Sequence, residues 1–131
     1  GFVDVSTFGQ ILDMDDDDDD REFSRGIVFD FFDQANQTFA KMDTALEAED
    51  FNELKELGHF LKGSSATLGL VKVRDSCEKI QHYGDKKDTS GTIDEPDERL
   101  LLSQLDKTIA SAKQEFTEVE KELRKFYSDS A

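Results

Sequence analysis

The chain has 131 residues and carries 31 acidic against 16 basic side chains, a formal net charge of -15 at pH 7. A chain this acidic repels nucleic-acid phosphates and anionic lipid surfaces, which excludes both as main partners. Its length suits one domain with a single buried core, and eleven phenylalanines supply bulk for that core although only 36% of residues are hydrophobic.

Residues 1–21 read as a short apolar helix and an acidic loop. Phe2, Val5, Phe8, Ile11, Leu12 and Met14 form the apolar part, with Ser6 or Thr7 as its cap. The block Asp15 to Asp20 repels itself and stays solvated, and its last members suit the positive N-terminus of the next helix. A calcium loop needs alternating ligands and a glycine at the sharp turn, and this run has no glycine there. No metal site is expected.

Residues 22–84 read as three core helices. The first carries Phe23, Ile27, Val28, Phe31, Phe32, Ala35, Phe39, Met42 and Leu46 at three- and four-residue steps, one apolar stripe on a long helix. The second opens near Asp50 with Phe51, Leu54, Leu57, Leu61, Ser65 and Leu68 on one side, and "LGL" at 68–70 marks a turn. The third carries Val73, Cys77 and Ile80, with Gly84 as its expected stop. Cys77 is the only cysteine, so no internal disulfide forms, which fits a reducing compartment; its alignment with Val73 and Ile80 reads as a core thiol.

Residues 85–98 are polar and turn-rich and hold the only proline, Pro96. They read as a loop. Leu101, Leu105, Ile109, Ala112, Phe116, Val119, Leu123 and either Phe126 or Tyr127 then mark a final helix over 99–127. The expected fold is all-α: a single domain over 1–131, an antiparallel up-down four-helix bundle with a short extra N-terminal helix. No run approaches the roughly 18 apolar residues of a membrane span. No signal peptide is legible, although the chain begins at Gly1 rather than Met, which leaves upstream targeting open.

"LGHFLKGSSATLGL", residues 57–70, sets a histidine, a lysine, a glycine and serines inside an apolar frame. At about 100° per residue, His59 lies roughly 140° from the centre of the buried stripe and faces outward. Gly63 is one turn on, on the same side. Glycine inside a helix costs about 0.5–1 kcal/mol relative to alanine, so its presence suggests that something must come close to the imidazole. Lys62 and Lys55 are within helical reach of the ring, and Lys72, Arg74 and Lys79 follow on the next helix. Such a cationic patch suits an anion near the ring, and a lysine–phosphate hydrogen bond contributes about 1.5–3 kcal/mol. Phe60 also points away from the core, which suggests a docking surface. A lone surface histidine is most often only surface. The outward Gly63, Lys62 and Phe60 are what raise His59 above that reading. His82, in "IQHYG" at a helix end, reads as structural.

"HFLKGSSATLGL" resembles the active-site helix of histidine-containing phosphotransfer (HPt) domains, in particular the fungal phosphorelay intermediates of osmosensing. "ILDMDDDDDDREFSRGIVFDFFDQANQTFAKM" and "CEKIQHYG" resemble the flanking parts of those proteins, so most of the chain is covered. The acidic run is slightly longer than the fungal pattern and the loop at 85–98 shorter than in some members, differences that bear on partner preference rather than on chemistry. The resemblance implies a phosphoryl carrier that accepts a phosphoryl group on Nε2 of His59 from the phospho-aspartate of a hybrid sensor kinase's receiver domain. It passes the group to the aspartate of a downstream response regulator. Lys62 would steady the phosphoryl oxygens, Gly63 would admit the receiver, and Gln81 would orient the imidazole. Ile11, Met14, Phe23, Ile27, Phe60 and Ser64 would form the docking surface. The resemblance also implies a monomer of cytoplasm and nucleus with no cofactor of its own, the receiver bringing Mg2+. No glycine-rich ATP segment is present, which argues against a kinase. The rival expectation is a non-catalytic acidic adaptor that binds a protein partner through Phe60 and the first helix.

Overall fold

The structure is a computed structural model that describes residue 7, residues 9 and 10, and residues 22–130. Residues 7, 9 and 10 are helical. The rest of the expected N-terminal helix, with Ile11 and Met14, and the Asp15 to Asp20 run lie outside the described residues.

Four helices follow: α1 over Glu22–Glu47, α2 over Phe51–Thr67, α3 over Val71–Gly84 and α4 over Glu98–Ser130. There is no strand among the described residues, only an isolated bridge between Lys87 and Asp94 in the loop before α4. Each helix packs on the next, and α4 closes back on α1. The connections α1–α2 and α2–α3 span only three residues each, so the neighbours run antiparallel. This is the expected four-helix bundle, with α4 reaching three residues beyond the expected end.

Local chemistry sets the helix ends. Asp50 caps α2, its side chain accepting the Glu53 N–H at 3.1 Å. The α2–α3 turn closes on Gly69, which adopts φ 75°, while the Leu70 N–H donates to the Ser65 carbonyl at 2.9 Å. A left-handed residue just past the helix with that long backward bond is a glycine-type stop. Asp97 caps α4, its carboxylate accepting the Arg99 and Leu100 N–H groups at 3.1 Å.

The core takes one stripe from each helix. Val28, Phe31, Phe32, Ala35, Phe39, Met42 and Ala45 face inward from α1, with Ile27 and Leu46 only partly covered. Leu101, Leu105, Ile109, Ala112, Phe116, Val119, Leu123 and Tyr127 face inward from α4. The Phe116 ring lies 5.7–6.0 Å from the rings of Phe31, Phe32 and Phe39. These are centroid distances at which aromatic pairs attract. Cys77 is buried, and that burial, with the Glu115 carboxylate second, pushes its thiol up to about 12.

Gly84 departs from its expected role. It is the last residue of α3 rather than a left-handed stop; the positive φ falls two residues later, at Lys86. A Cβ on Gly84 would stand 2.5 Å from the Lys55 backbone nitrogen, so the glycine is there to let α3 touch α2.

Candidate functional site

The middle of α2 divides into two faces. Leu54, Leu57, Gly58, Leu61 and Ser65 are buried against the other helices. His59 is exposed on the opposite side, as the helical arithmetic requires. Phe60 beside it is 49% exposed, a large apolar area to leave in water. Gly63 is exposed, and a Cβ built there would meet no atom within 4 Å. The space beside the imidazole is therefore open to another molecule.

The cations are sparser than the sequence suggests. Lys55 does not serve the ring: its ammonium pairs with Asp85 at 3.3 Å, drawn to the end of α3. Arg74 pairs with its neighbour Asp75 at 3.1 Å. Lys62 is half-buried and makes no ion pair or hydrogen bond among the described residues, so its ammonium is available to an incoming anion. Lys62 is thus the unpaired cation within one helical turn of His59, and Lys79 on α3 likewise makes no ion pair among the described residues.

Two hydroxyls tighten the turn around the histidine. Ser64 Oγ donates to the Phe60 carbonyl at 3.3 Å, and Thr67 Oγ1 donates to the Gly63 carbonyl at 3.0 Å. Such back-bonding occupies carbonyls that already serve the helix and favours a slight bend. The His59 ring itself makes no hydrogen bond among the described residues.

Gln81 approaches from α3. It is half-buried, and its Oε1 atom is buried without a hydrogen-bond partner among the described residues. Its main chain lies directly under Gly58, the residue before His59. Sequence reading passed over Gly58. Its position between Leu54 and Leu61 on the inward stripe was the available signal, because a glycine there buries no side chain and lets another backbone approach.

The expected docking residues divide three ways. Ile27 and Ser64 come together across an open groove between α1 and α2, lined also by Asp30, Gln34 and Thr67. Phe60 stands exposed on α2. Phe23 lies in α1, while Ile11 and Met14 fall outside the described residues.

His82, the other histidine, is part of the loop packing. Its Nδ1 lies 2.9 Å from the Thr89 carbonyl, to which it donates, and its ring lies where a side chain on Gly91 would stand. Among the described residues there is no cluster of three or more His, Cys, Asp or Glu that could hold a metal ion, and no helix long and apolar enough to cross a membrane.

The family model of the Hpt domain matches residues 26–120. Multistep phosphorelay regulator 1 of Schizosaccharomyces pombe is 43% identical over 129 residues, which cover 98% of this chain and 43% of that protein. Phosphorelay intermediate protein YPD1 of Saccharomyces cerevisiae is 48% identical over 85 residues, 64% of this chain and 50% of that protein. The chain thus spans half or less of the length of the curated relatives it matches. Among solved structures, Ypd1 of Saccharomyces cerevisiae in its co-crystal with the receiver domain of its downstream response regulator Ssk1 matches with a TM-score of 0.84. Its sequence identity is 35%, over 98% of this chain and 95% of that one.

Proposed function

The chain belongs to the Hpt domain family, and from that premise we propose that it is the histidine phosphotransfer intermediate of a multistep histidine–aspartate phosphorelay. His59 is the residue that takes the phosphoryl group. One observation carries this reading: an exposed imidazole stands on a rigid helix with an empty face one turn away at Gly63.

The chemistry needs little from this chain. Phosphoryl transfer is mostly positioning and charge stabilisation. The lone pair of His59 Nε2 attacks the phosphorus of a receiver's aspartyl phosphate. A nitrogen–phosphorus bond forms as the phosphorus–oxygen bond breaks, and the carboxylate leaves with the electron pair. Lys62 offsets charge on the phosphoryl oxygens, and Gly63 leaves room for the receiver's active site. The partner brings the aspartate and its divalent cation, so this chain needs no nucleotide site. Transfer then runs in reverse onto the aspartate of a second receiver.

Receiver domains are the partners, one from a hybrid sensor kinase upstream and one from a response regulator downstream. The likeness to a protein crystallised with a receiver domain supports that assignment. Phe60, Ile27 and Ser64, with Ile11, Met14 and Phe23 before them, form the docking face. Osmotic sensing, and residence in cytoplasm and nucleus, follow from the resemblance to fungal intermediates and form part of the same proposal.

The test is transfer from a pre-phosphorylated receiver to wild type and to His59→Gln. Label on wild type alone, lost in acid and kept in alkali, is the expected result. Label on neither protein from several receivers leaves the adaptor reading in its place. Label on both moves the site away from His59.

A further inference from the structure

The groove between α1 and α2 is apolar at its base and carries one charge. Phe31 and Leu68 are its buried floor, and Asp30 stands on its α1 wall. No lysine or arginine is among the described residues that line it. Asp30 is exposed and makes no ion pair or hydrogen bond among the described residues. The hydroxyls on the opposite wall are occupied by their own helix: Ser64 Oγ donates to the Phe60 carbonyl at 3.3 Å and Thr67 Oγ1 to the Gly63 carbonyl at 3.0 Å. The groove holds about 320 Å3 and is open along its length, a shape that suits side chains of another protein better than an enclosed small molecule.

This groove lies on one flank of His59 and Lys62 on the other. Gly58 abuts α3, and Lys62 stands one helical turn after it, toward that helix. Ser64, which lines the groove with Leu68, lies roughly 200° further round α2. His59, Gly63 and Phe60 occupy the arc between them. The exposed face therefore has an available ammonium on its α3 side and an unpaired carboxylate on its α1 side. A receiver that covers the face takes both charges out of water. Apolar contact gives affinity for any surface of fitting shape, whereas a charge on the wall discriminates among surfaces. A carboxylate left unpaired under a partner is costly, and a like charge set against it costs more. A lysine or arginine at that point offsets the cost and fixes which way round the partner sits.

We propose that Asp30 is a specificity-determining residue of the docking face: it selects receivers that bring a lysine or arginine into the α1–α2 groove, and it orients them with the phosphorylated aspartate toward Lys62 and His59. The proposal rests on the phosphoryl-carrier reading and deepens it. Asp30 touches no reacting atom. Its effect falls on docking, and transfer within the docked complex does not depend on it.

The test uses receiver domains of hybrid kinases and response regulators from the organism that makes this chain. Titration calorimetry gives the affinity of each unphosphorylated receiver for wild type, Asp30→Asn, Asp30→Lys and Glu118→Lys, and transfer from the phosphorylated receiver is measured beside it. Glu118 is exposed on α4, away from the groove, so its reversal makes the same change in net charge elsewhere. Asp30→Lys is expected to weaken binding roughly 10- to 100-fold, Asp30→Asn roughly 3- to 10-fold and Glu118→Lys less than about twofold. The transfer rate at saturating receiver stays within about threefold of wild type, as the loss of a docking contact requires. Changing one receiver lysine or arginine to glutamate is expected to restore most of the affinity for Asp30→Lys. Equal losses in Asp30→Lys and Glu118→Lys reduce the effect to bulk charge and overturn the proposal. An unchanged affinity, a loss confined to the transfer rate, or receiver reversals none of which restores binding overturn it as well. A wild-type chain that binds receivers but takes no phosphate refutes the carrier reading and the proposal with it, an outcome that none of the others produces. Asp30 is exposed, so its variants are expected to fold, and circular dichroism checks this.

Discussion

Tyr127 and Ser24 stand 103 positions apart in the chain and share a buried hydrogen bond, the Tyr127 hydroxyl donating to Ser24 Oγ at 2.9 Å. The bond joins the end of α4 to the start of α1, just after the acidic run. Its removal in Tyr127→Phe keeps the ring packing and deletes one donor. The expected loss is about 0.5–1.5 kcal/mol, the net worth of an ordinary internal hydrogen bond. Urea denaturation with an unchanged slope checks it; equal midpoints for the two proteins would show that the bond contributes nothing.

Ser65 presents the opposite case. It is fully buried on the inward stripe of α2, and its hydroxyl has no hydrogen-bond partner among the described residues. An unpaired buried hydroxyl costs free energy, and alanine is the better helix former. Ser65→Ala is therefore expected to stabilise the protein by about 1 kcal/mol, read as a rise of a few degrees in Tm. A lower Tm would mean that the hydroxyl finds a partner in solution.

Cys77 makes stability depend on alkali. Its thiol is raised in the folded protein from 9.0 to about 12, first by burial and then by Glu115. The unfolded chain loses this proton at lower pH than the folded one. The contribution of the neutral thiol is thus fully present below pH 9 and lost as pH rises from about 9 towards about 12. Cys77→Ala is expected to flatten the decline in stability over that window. In the native protein the same burial should leave the thiol unreactive to an aqueous alkylating reagent at pH 8, with full labelling only after unfolding.

Phe60 tests the docking face. With 49% of its surface exposed, it has much apolar area left to lose to a partner. Phe60→Ala is expected to weaken receiver binding by up to about 0.7–1.5 kcal/mol, half the value for burying such a side chain from full exposure. Circular dichroism should be unchanged. Titration calorimetry that finds the two affinities equal would move the docking face elsewhere.

Much of this protein was legible in its residues taken alone. The period of Val28, Phe31, Phe32, Ala35, Phe39 and Met42 marks one inward stripe, and the structure buries each of them. The second core helix reads as opening near Asp50, and in the structure the Asp50 side chain caps it. The outward direction of His59, Phe60 and Gly63 follows from helical arithmetic, because a residue's angle around its own helix is a local property. What faces that angle is not local. Lys55 lies one turn from His59 and turns instead to Asp85, a partner on another helix. The pattern admitted Phe126 or Tyr127 as the last core residue; packing against α1 buries Tyr127 and leaves Phe126 only partly covered. Gly84 reads as a stop and Gly58 as nothing, yet both exist to let α3 touch α2. Periodicity tells which way a side chain points, whereas the distance between two helices depends on both surfaces at once. Only the folded bundle brings those surfaces together, and it does so beside His59.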